Sequence, residues 1–241
     1  MALSFNGSSS RVAVNTPSFP NVLTFSCWVN CNLVSAYSTT IAIGYATVNV
    51  FKYYIKSNGK TAGYAQSSGN VWDGSGSATI AANTWAHALV YLTVGGSASS
   101  FINGVSDIAG ASGSAIISLN ANSVFGDDAS SHWFGGSMAD PALWNAILSQ
   151  AEITALALGT RPSKIRRQAL VDYWPFDGYD HPALDRVTGQ GGTLTSVSLV
   201  TGPPLLNPVP ILPSLPDIDT VMQAMQGPPP PPFILMPQIV M

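Results

Sequence analysis

Side chains able to do chemistry are few, and their inventory narrows the function at once. Charged residues make up 9% of the 241. Glu152 is the sole glutamate, whereas glycoside hydrolysis ordinarily needs two carboxylates flanking the scissile bond. Aspartates could substitute in principle, yet no D-x-D or D-x-x-D run falls on a strand-like segment. His87 lies mid-strand and reads as a satisfied sheet residue rather than a base. There is no G-x-S-x-G, no metal-spaced histidine pair and no phosphate-cradling glycine loop. The pattern predicts binding rather than catalysis.

Two groups could contact a saccharide by stacking and hydrogen bonding. One is His132 and Trp133 beside Asp127 and Asp128; the other is Trp72 beside Asp73. Asp127, Asp128, Asp177 or Asp185 could also supply oxygens to a calcium ion, although paired aspartates often only shape turns. No metal site or other cofactor is assigned. Arg161, Lys164, Arg166 and Arg167 place four charges in seven residues. They suit a solvated face or an acidic patch on a partner, with nucleic acid a distant third. The net charge of −3 excludes a broad basic field for phosphates.

These residues must be positioned by short strands. Leu3–Phe5 and Arg11–Val14 alternate around Asn6-Gly7 and suggest an opening hairpin. Leu23, Phe25, Cys27 and Val29 form one face of a strand, leaving Trp28 on the other and in need of cover. Cys27 and Cys31, some ~13 Å apart if extended, are too distant for a disulfide and read as core thiols. Residues 40–45 and 48–56 follow, with Lys52 and Lys56 at exposed positions. Asn58-Gly59 is the strongest hairpin signal, and Trp72 and Asp73 fall in a Gly/Ser-rich loop. Thr84 to Tyr91 is a long strand, and residues 99–102 and 105–108 pair through Asn103-Gly104. After Val124-Phe125-Gly126 comes a loop bearing His132 and Trp133, then a strand from Met138 to Asn145. Ser149 is a helix N-cap, with Glu152 completing a capping box. The helix carries Ile153, Leu156 and Leu158 and stops at Gly159. About a dozen short strands and one helix predict an all-β fold, a two-sheet antiparallel jelly-roll sandwich.

The composition changes at Gly202. Residues 203–241 hold 12 of the 18 prolines and only two charges, Asp217 and Asp219. Disordered tails are usually polar and charged; this one is apolar and, by its prolines, extended. A short helix is expected near 217–226. The stretch reads as an arm that docks on a partner through Leu205, Leu206, Ile211, Leu212 and Leu215, and through Phe233, Ile234, Leu235 and Met236. The expected domains are therefore a sandwich over 1–202 and an assembly arm over 203–241. The amino terminus shows no signal-peptide pattern, and no run suits a membrane-spanning helix.

Several stretches together resemble the laminin-G-like jelly roll of the concanavalin A-like lectin/glucanase superfamily. They are Leu3 to Gly7, Phe25 to Val29, and Asn83-Thr-Trp85-Ala-His87 with Phe101 to Gly104. The segment from Gly136 through Trp144-Asn145 to Glu152-Ile153 joins them, as does Leu170 to Gly178 with Asp185 and Gly189. The resemblance implies two packed sheets of six to seven strands. Glucanases of this fold use paired glutamates, which this chain lacks. The superfamily hosts lectins, glycosidases, adhesins and virion proteins, so the fold does not settle function. The expectation is a non-enzymatic virion structural protein, a phage capsid decoration, cement or accessory protein. It would bind capsid, tail or sister subunits through its arm, as a homo-oligomer located in the virion. The competing expectation is a carbohydrate-binding adhesin or host-recognition protein. Neither nucleic acid nor membrane is an expected partner.

Overall fold

The computed structural model describes residues 1–17, 22–44, 51–65, 69–73, 76–93, 97–112, 122–178 and 181–205; for 65, 69–73 and 112 it describes the backbone alone. The chain divides into two units, Met1–Leu206 and Asn207–Met241. The expected helix near 217–226 and the arm residues from Leu206 onward lie outside the described residues.

Described strands pair into two antiparallel sheets, as the jelly-roll reading requires. The first sheet runs in the order β10 (Val105–Ser112), β9 (Ser97–Ile102), β8 (Trp85–Thr93), β3 (Val22–Cys31), β12 (Gly135–Trp144), β1 (Ala2–Asn6) and β15 (Ser198–Val200), with β13 (Leu170–Tyr173) also on β12. The second runs β14 (Thr193–Thr195), β2 (Arg11–Asn15), β11 (Asn122–Phe125), β4 (Tyr37–Ile43), β5 (Phe51–Lys56), β6 (Thr61–Ala65) and β7 (Gly69–Asp73). The sheets therefore hold eight and seven strands, somewhat more than the resemblance implied.

The opening hairpin is overturned. β1 pairs with β12 and β15, whereas β2 pairs with β11 and β14, in the other sheet. The cause is Asn6, whose Oδ1 accepts from the backbone N–H groups of Ser8, Ser9 and Ser10 at 2.9, 2.9 and 3.1 Å. A side chain that gathers three consecutive amides makes a corner, and a two-strand ladder cannot continue through it.

The core lies between the sheets. Leu3, Phe5, Phe25, Cys27 and Val29 face Ile41, Ile43, Phe51, Tyr53 and Phe125, all buried. Trp174 and Phe176 close against Phe125 at ring distances of 5.2 and 5.5 Å. Both cysteines are buried and unbridged, and burial raises each thiol's pKa. His87 is buried, its Nε2 2.8 Å from Ser26 Oγ, and burial pushes its pKa down to about 3.

A second apolar layer covers the outer side of the eight-stranded sheet. Helix α1 (Gln150–Ala157) starts at Ser149, whose side chain meets the Glu152 N–H while Glu152 reaches back to the Ser149 N–H, the predicted capping box. Ile153 and Leu156 bury against Leu89, Phe101 and Trp144. Leu158 departs from expectation: it is the C-cap and is 67% exposed. Trp144 donates through Nε1 to the carbonyl of Ile165 at 3.1 Å, just past the turn Pro162–Lys164. Trp28, which needed cover, finds it in a smaller cluster with Ala2, Ala139, Trp85, Val200 and Leu205.

Candidate functional site

The seven-stranded sheet has a different outer side. In β5 the alternation sends Phe51, Tyr53 and Ile55 to the core and Lys52, Tyr54 and Lys56 outward. Lys52 stands opposite Tyr64 of β6, and Lys56 opposite Tyr37 of β4. The loop after β11 then folds back over these residues. Its turn begins at Gly126, φ +86°, where an added Cβ would meet the Phe5 ring at 2.5 Å. It uses left-handed backbone again at Ala129 and Ser131. It closes through Phe134 N–H to Gly126 O at 3.0 Å and is pinned to the sheet by Thr39, whose hydroxyl donates to His132 O at 2.6 Å.

Between loop and sheet lies a pocket of about 340 Å³ lined by Tyr37, Lys52, Tyr54, Tyr64, Asp128, Ser130 and His132. Asp128 organises it. Its Oδ2 accepts from Lys52 Nζ at 3.0 Å, from Tyr54 Oη at 2.8 Å and from His132 Nδ1 at 2.8 Å. Its Oδ1 accepts from the N–H groups of Ser130 and His132 at 2.8 and 3.3 Å. Burial alone would raise the Asp128 pKa, but the bonds from His132, Lys52, Tyr54 and Ser130 outweigh it and hold the carboxyl at about 2. An ionised carboxylate only accepts, so His132 Nδ1 carries the proton of that bond. Burial and the Asp128 charge push Tyr54 upward, keeping it a neutral donor.

The rings pack edge to face: Tyr37 on Tyr54 at 5.4 Å, Tyr37 on His132 at 5.3 Å, and Tyr54 on His132 at 5.7 Å. Lys52 Nζ stands 5.6 Å over the Tyr64 ring and Lys56 Nζ 5.1 Å over that of Tyr37. Such a site can hold a small ligand between ring faces and hydrogen-bonding groups. Asp128 itself is ionised and already bonded on both oxygens, so it does not serve as a proton donor to a ligand.

The structure thus brings Asp128 and His132 of the sequence-derived set into one pocket. Asp127 is buried beside it but turned away, capping Ala129 N–H at 3.0 Å and lying 3.6 Å from Arg11. Trp133 is half-buried and does not line the pocket. Trp72 and Asp73 lie in strand β7, opposite Gly63 and Ala62, not in a loop; their side chains lie outside the described residues. Lys52, expected at an exposed position, keeps only 13% of its side chain accessible.

Two expected roles elsewhere are revised. In the basic patch, Arg161 is committed to buried Asp140 at 3.1 Å, and Arg166 grips Glu152 with two bonds of 2.9 and 2.7 Å. Only Lys164 and Arg167 stay exposed, so the four are not one partner-facing surface. For calcium, Asp177 pairs with Arg186 at 3.7 Å. Asp185 caps the N–H groups of Tyr173, Val187 and Thr188. Its neighbour Asp172 is pushed up to about 8 by burial and by the Asp185 charge, so this pair retains a proton rather than presenting two charges. Among the described residues no cluster of three His, Cys, Asp or Glu could hold a metal.

Tyr37, Lys52, Tyr54 and Tyr64 were missed as a site. Lys52 and Tyr54 could have been placed together by period two. Tyr64 could not, because its face depends on the turn. A two-residue Asn58-Gly59 turn would set Tyr64 opposite Tyr53, toward the core. Lys56 instead pairs with Lys60 around a three-residue loop with Gly59 at φ +75°, and that one-residue difference turns Tyr64 outward.

The sequence profile described as the concanavalin A-like lectin/glucanases superfamily matches residues 6–154. No protein of curated function matches the chain. Among solved structures, a candidate carbohydrate-binding protein of Bacteroides ovatus superposes with a TM-score of 0.61 at 16% identity, over 82% of this chain and 58% of its own. A heptameric SAP-like pentraxin of Limulus polyphemus gives 0.51 at 17% identity, over 65% and 81%. Domain 4 of an extracellular GH43 arabinanase of Geobacillus stearothermophilus, in complex with arabinotriose, gives 0.51 at 21%, over 65% and 76%. At these identities the likeness is one of fold.

Proposed function

The chain belongs to the concanavalin A-like lectin/glucanases superfamily, and from that premise we propose that it is a non-enzymatic carbohydrate-binding protein. The glycan seats in the pocket of Tyr37, Tyr54 and Tyr64. The observation that carries this reading is the pocket itself: three tyrosines grouped around an ionised, fully bonded carboxylate on the outer face of the seven-stranded sheet. Tyrosine rings offer apolar faces to the C–H side of a sugar, while Lys52 and Ser130 supply polar contacts. At about 340 Å³ the pocket is at the small end of ligand sites, which suits one or two sugar units. The arabinotriose held by the arabinanase domain, on the same fold, supports the reading.

The test is a glycan array probed with the full chain, followed by titration of the best ligand against Tyr64→Ala and Tyr37→Ala. Each substitution should weaken binding about tenfold, the loss of an aromatic contact worth on the order of 1 kcal/mol. An array with no bound glycan, or a bound glycan indifferent to both substitutions, would overturn the assignment.

A second reading has its own observation, the apolar proline-rich stretch 203–241. On this reading the protein would belong to a phage virion, as a capsid decoration, cement or accessory protein or as a tail adhesin. The stretch would add contact area on a capsid, tail or sister subunit. Removing residues 203–241 should then leave a folded sandwich that no longer enters particles. Normal incorporation of the truncated chain would eliminate this reading and leave the saccharide reading intact.

A further inference from the structure

We infer that the ligand of this pocket is an acidic saccharide, with its carboxylate or sulfate group held by the Lys52 ammonium; the inference rests on the saccharide reading of the same site. It comes from counting donors and acceptors. A carboxylate offers about four lone-pair positions, and Asp128 already receives five bonds. Its side chain has no exposed surface. The negative charge lining the pocket is therefore spent on the protein and walled off from the ligand.

The lining that remains is rich in donors. Lys52 Nζ has three N–H groups; one goes to Asp128 at 3.0 Å and another lies a marginal 3.5 Å from Ser130 Oγ. The third is unassigned, and the Lys52 side chain keeps 13% of its surface accessible. Lys56 brings a second positive charge to the Tyr37 side. The chain has four lysines in all, and two of them occupy this one strand face. A neutral sugar hydroxyl can pair with the hydroxyls of Tyr37, Tyr64 and Ser130, but it offers the ammonium only an uncharged acceptor. An anionic substituent brings acceptors alone and meets an ammonium, which gives shorter and stronger bonds.

Asp128 acts here as a positioning residue. By drawing Lys52, Tyr54 and His132 onto one oxygen it fixes the ammonium above the Tyr64 ring. A ligand ring could then lie on tyrosine with its acidic group at the lysine.

The experiment is an array of neutral, carboxylated and sulfated glycans probed with the full chain. Each bound acidic glycan is then compared with its methyl ester or its desulfated form, which also separates the two sources of charge. The bound set should be acidic, with neutralised counterparts about tenfold or more weaker, and affinity should fall as salt rises from about 50 to 500 mM. Lys52→Met should reproduce the loss and Lys52→Arg should retain binding. If Lys52→Met does not fold, the comparison of neutralised ligands on the unmodified chain decides alone. Equal binding of acidic and neutralised glycans would overturn the inference and leave the saccharide reading standing. If no glycan binds at all, both fall.

Discussion

The two sheets bury their inner faces alike and treat their outer faces in opposite ways. Outside the eight-stranded sheet, Leu89, Phe101 and Trp144 are apolar, and α1 lies on them with Ile153 and Leu156. Outside the seven-stranded sheet, Lys52, Tyr54 and Tyr64 line a pocket roofed, among the described residues, by the 126–134 loop. The difference follows from side-chain chemistry. A large apolar face costs about 25 cal/mol per Å² if left in water, so the chain supplies a helix to cover it. Tyrosine and lysine have apolar bodies and polar tips, and they can line an open surface without a lid. The covered face therefore adds apolar packing to the core between the sheets, and the open face leaves room for a ligand.

The sharpest way to break that comparison is Trp144→Ala. The ring is fully buried and its Nε1 bond to Ile165 ties the 162–165 turn to the sheet. Its removal should cost about 3–5 kcal/mol, read as a lower denaturation midpoint in urea. A loss below about 1 kcal/mol would mean that the helical layer does not carry stability.

Asp128→Ala is the matching change on the open face. It leaves Tyr54 and the largely buried Lys52 without their acceptor, and an unsatisfied buried group of this kind costs about 1–3 kcal/mol. The expected signature is a smaller stability loss than Trp144→Ala together with complete loss of glycan binding. If Asp128→Ala proved the more destabilising of the two, the roof loop would be a structural element first and a binding wall second.

How much of this could be read in the sequence follows the same division. The covered face was legible. Ser149 and Glu152 announce the helix, Ile153 and Leu156 supply its apolar stripe, and Trp144 ends the strand beneath it. These are local signals three or four residues apart, and local signals survive folding. The hairpin at Asn103-Gly104 was legible for the same reason. The open face was not. Its rings come from three strands, and their common orientation depends on the three-residue loop at Ser57–Gly59. Its roof depends on left-handed backbone at Ala129 and Ser131, residue types that give no hint of that conformation. The corner at Asn6 was misread as a hairpin because Asn-Gly marks either, and only the three serine amides that follow decide which.

A gentler probe of the comparison is pH, because Asp128 on the open side and Asp140 on the covered side are both buried carboxylates and are shifted in opposite directions. Asp128 is held at about 2, below its ordinary 3.8. Its contribution is present above the unfolded value and is lost as pH falls through about 2. Asp140 sits at the bulge of β12 on the covered side, with φ +49° and bonds from Arg161 and Tyr173. Burial dominates there, the Arg161 charge only partly offsets it, and the carboxyl is pushed up to about 6. The folded chain thus keeps a proton that the unfolded chain releases near 3.8. That contribution is full below the unfolded value and is lost as pH rises through about 6. Urea midpoints measured across this range should therefore fall on both sides of about pH 4. Asp128→Asn should flatten the acid limb, and Asp140→Asn should shrink the limb between about 4 and 6, to which Asp172, pushed up to about 8, also contributes. An unchanged upper limb in Asp140→Asn would show that Arg161 keeps Asp140 ionised despite its burial. The covered face would then manage Asp140 as the open face manages Asp128, by pairing it rather than by neutralising it.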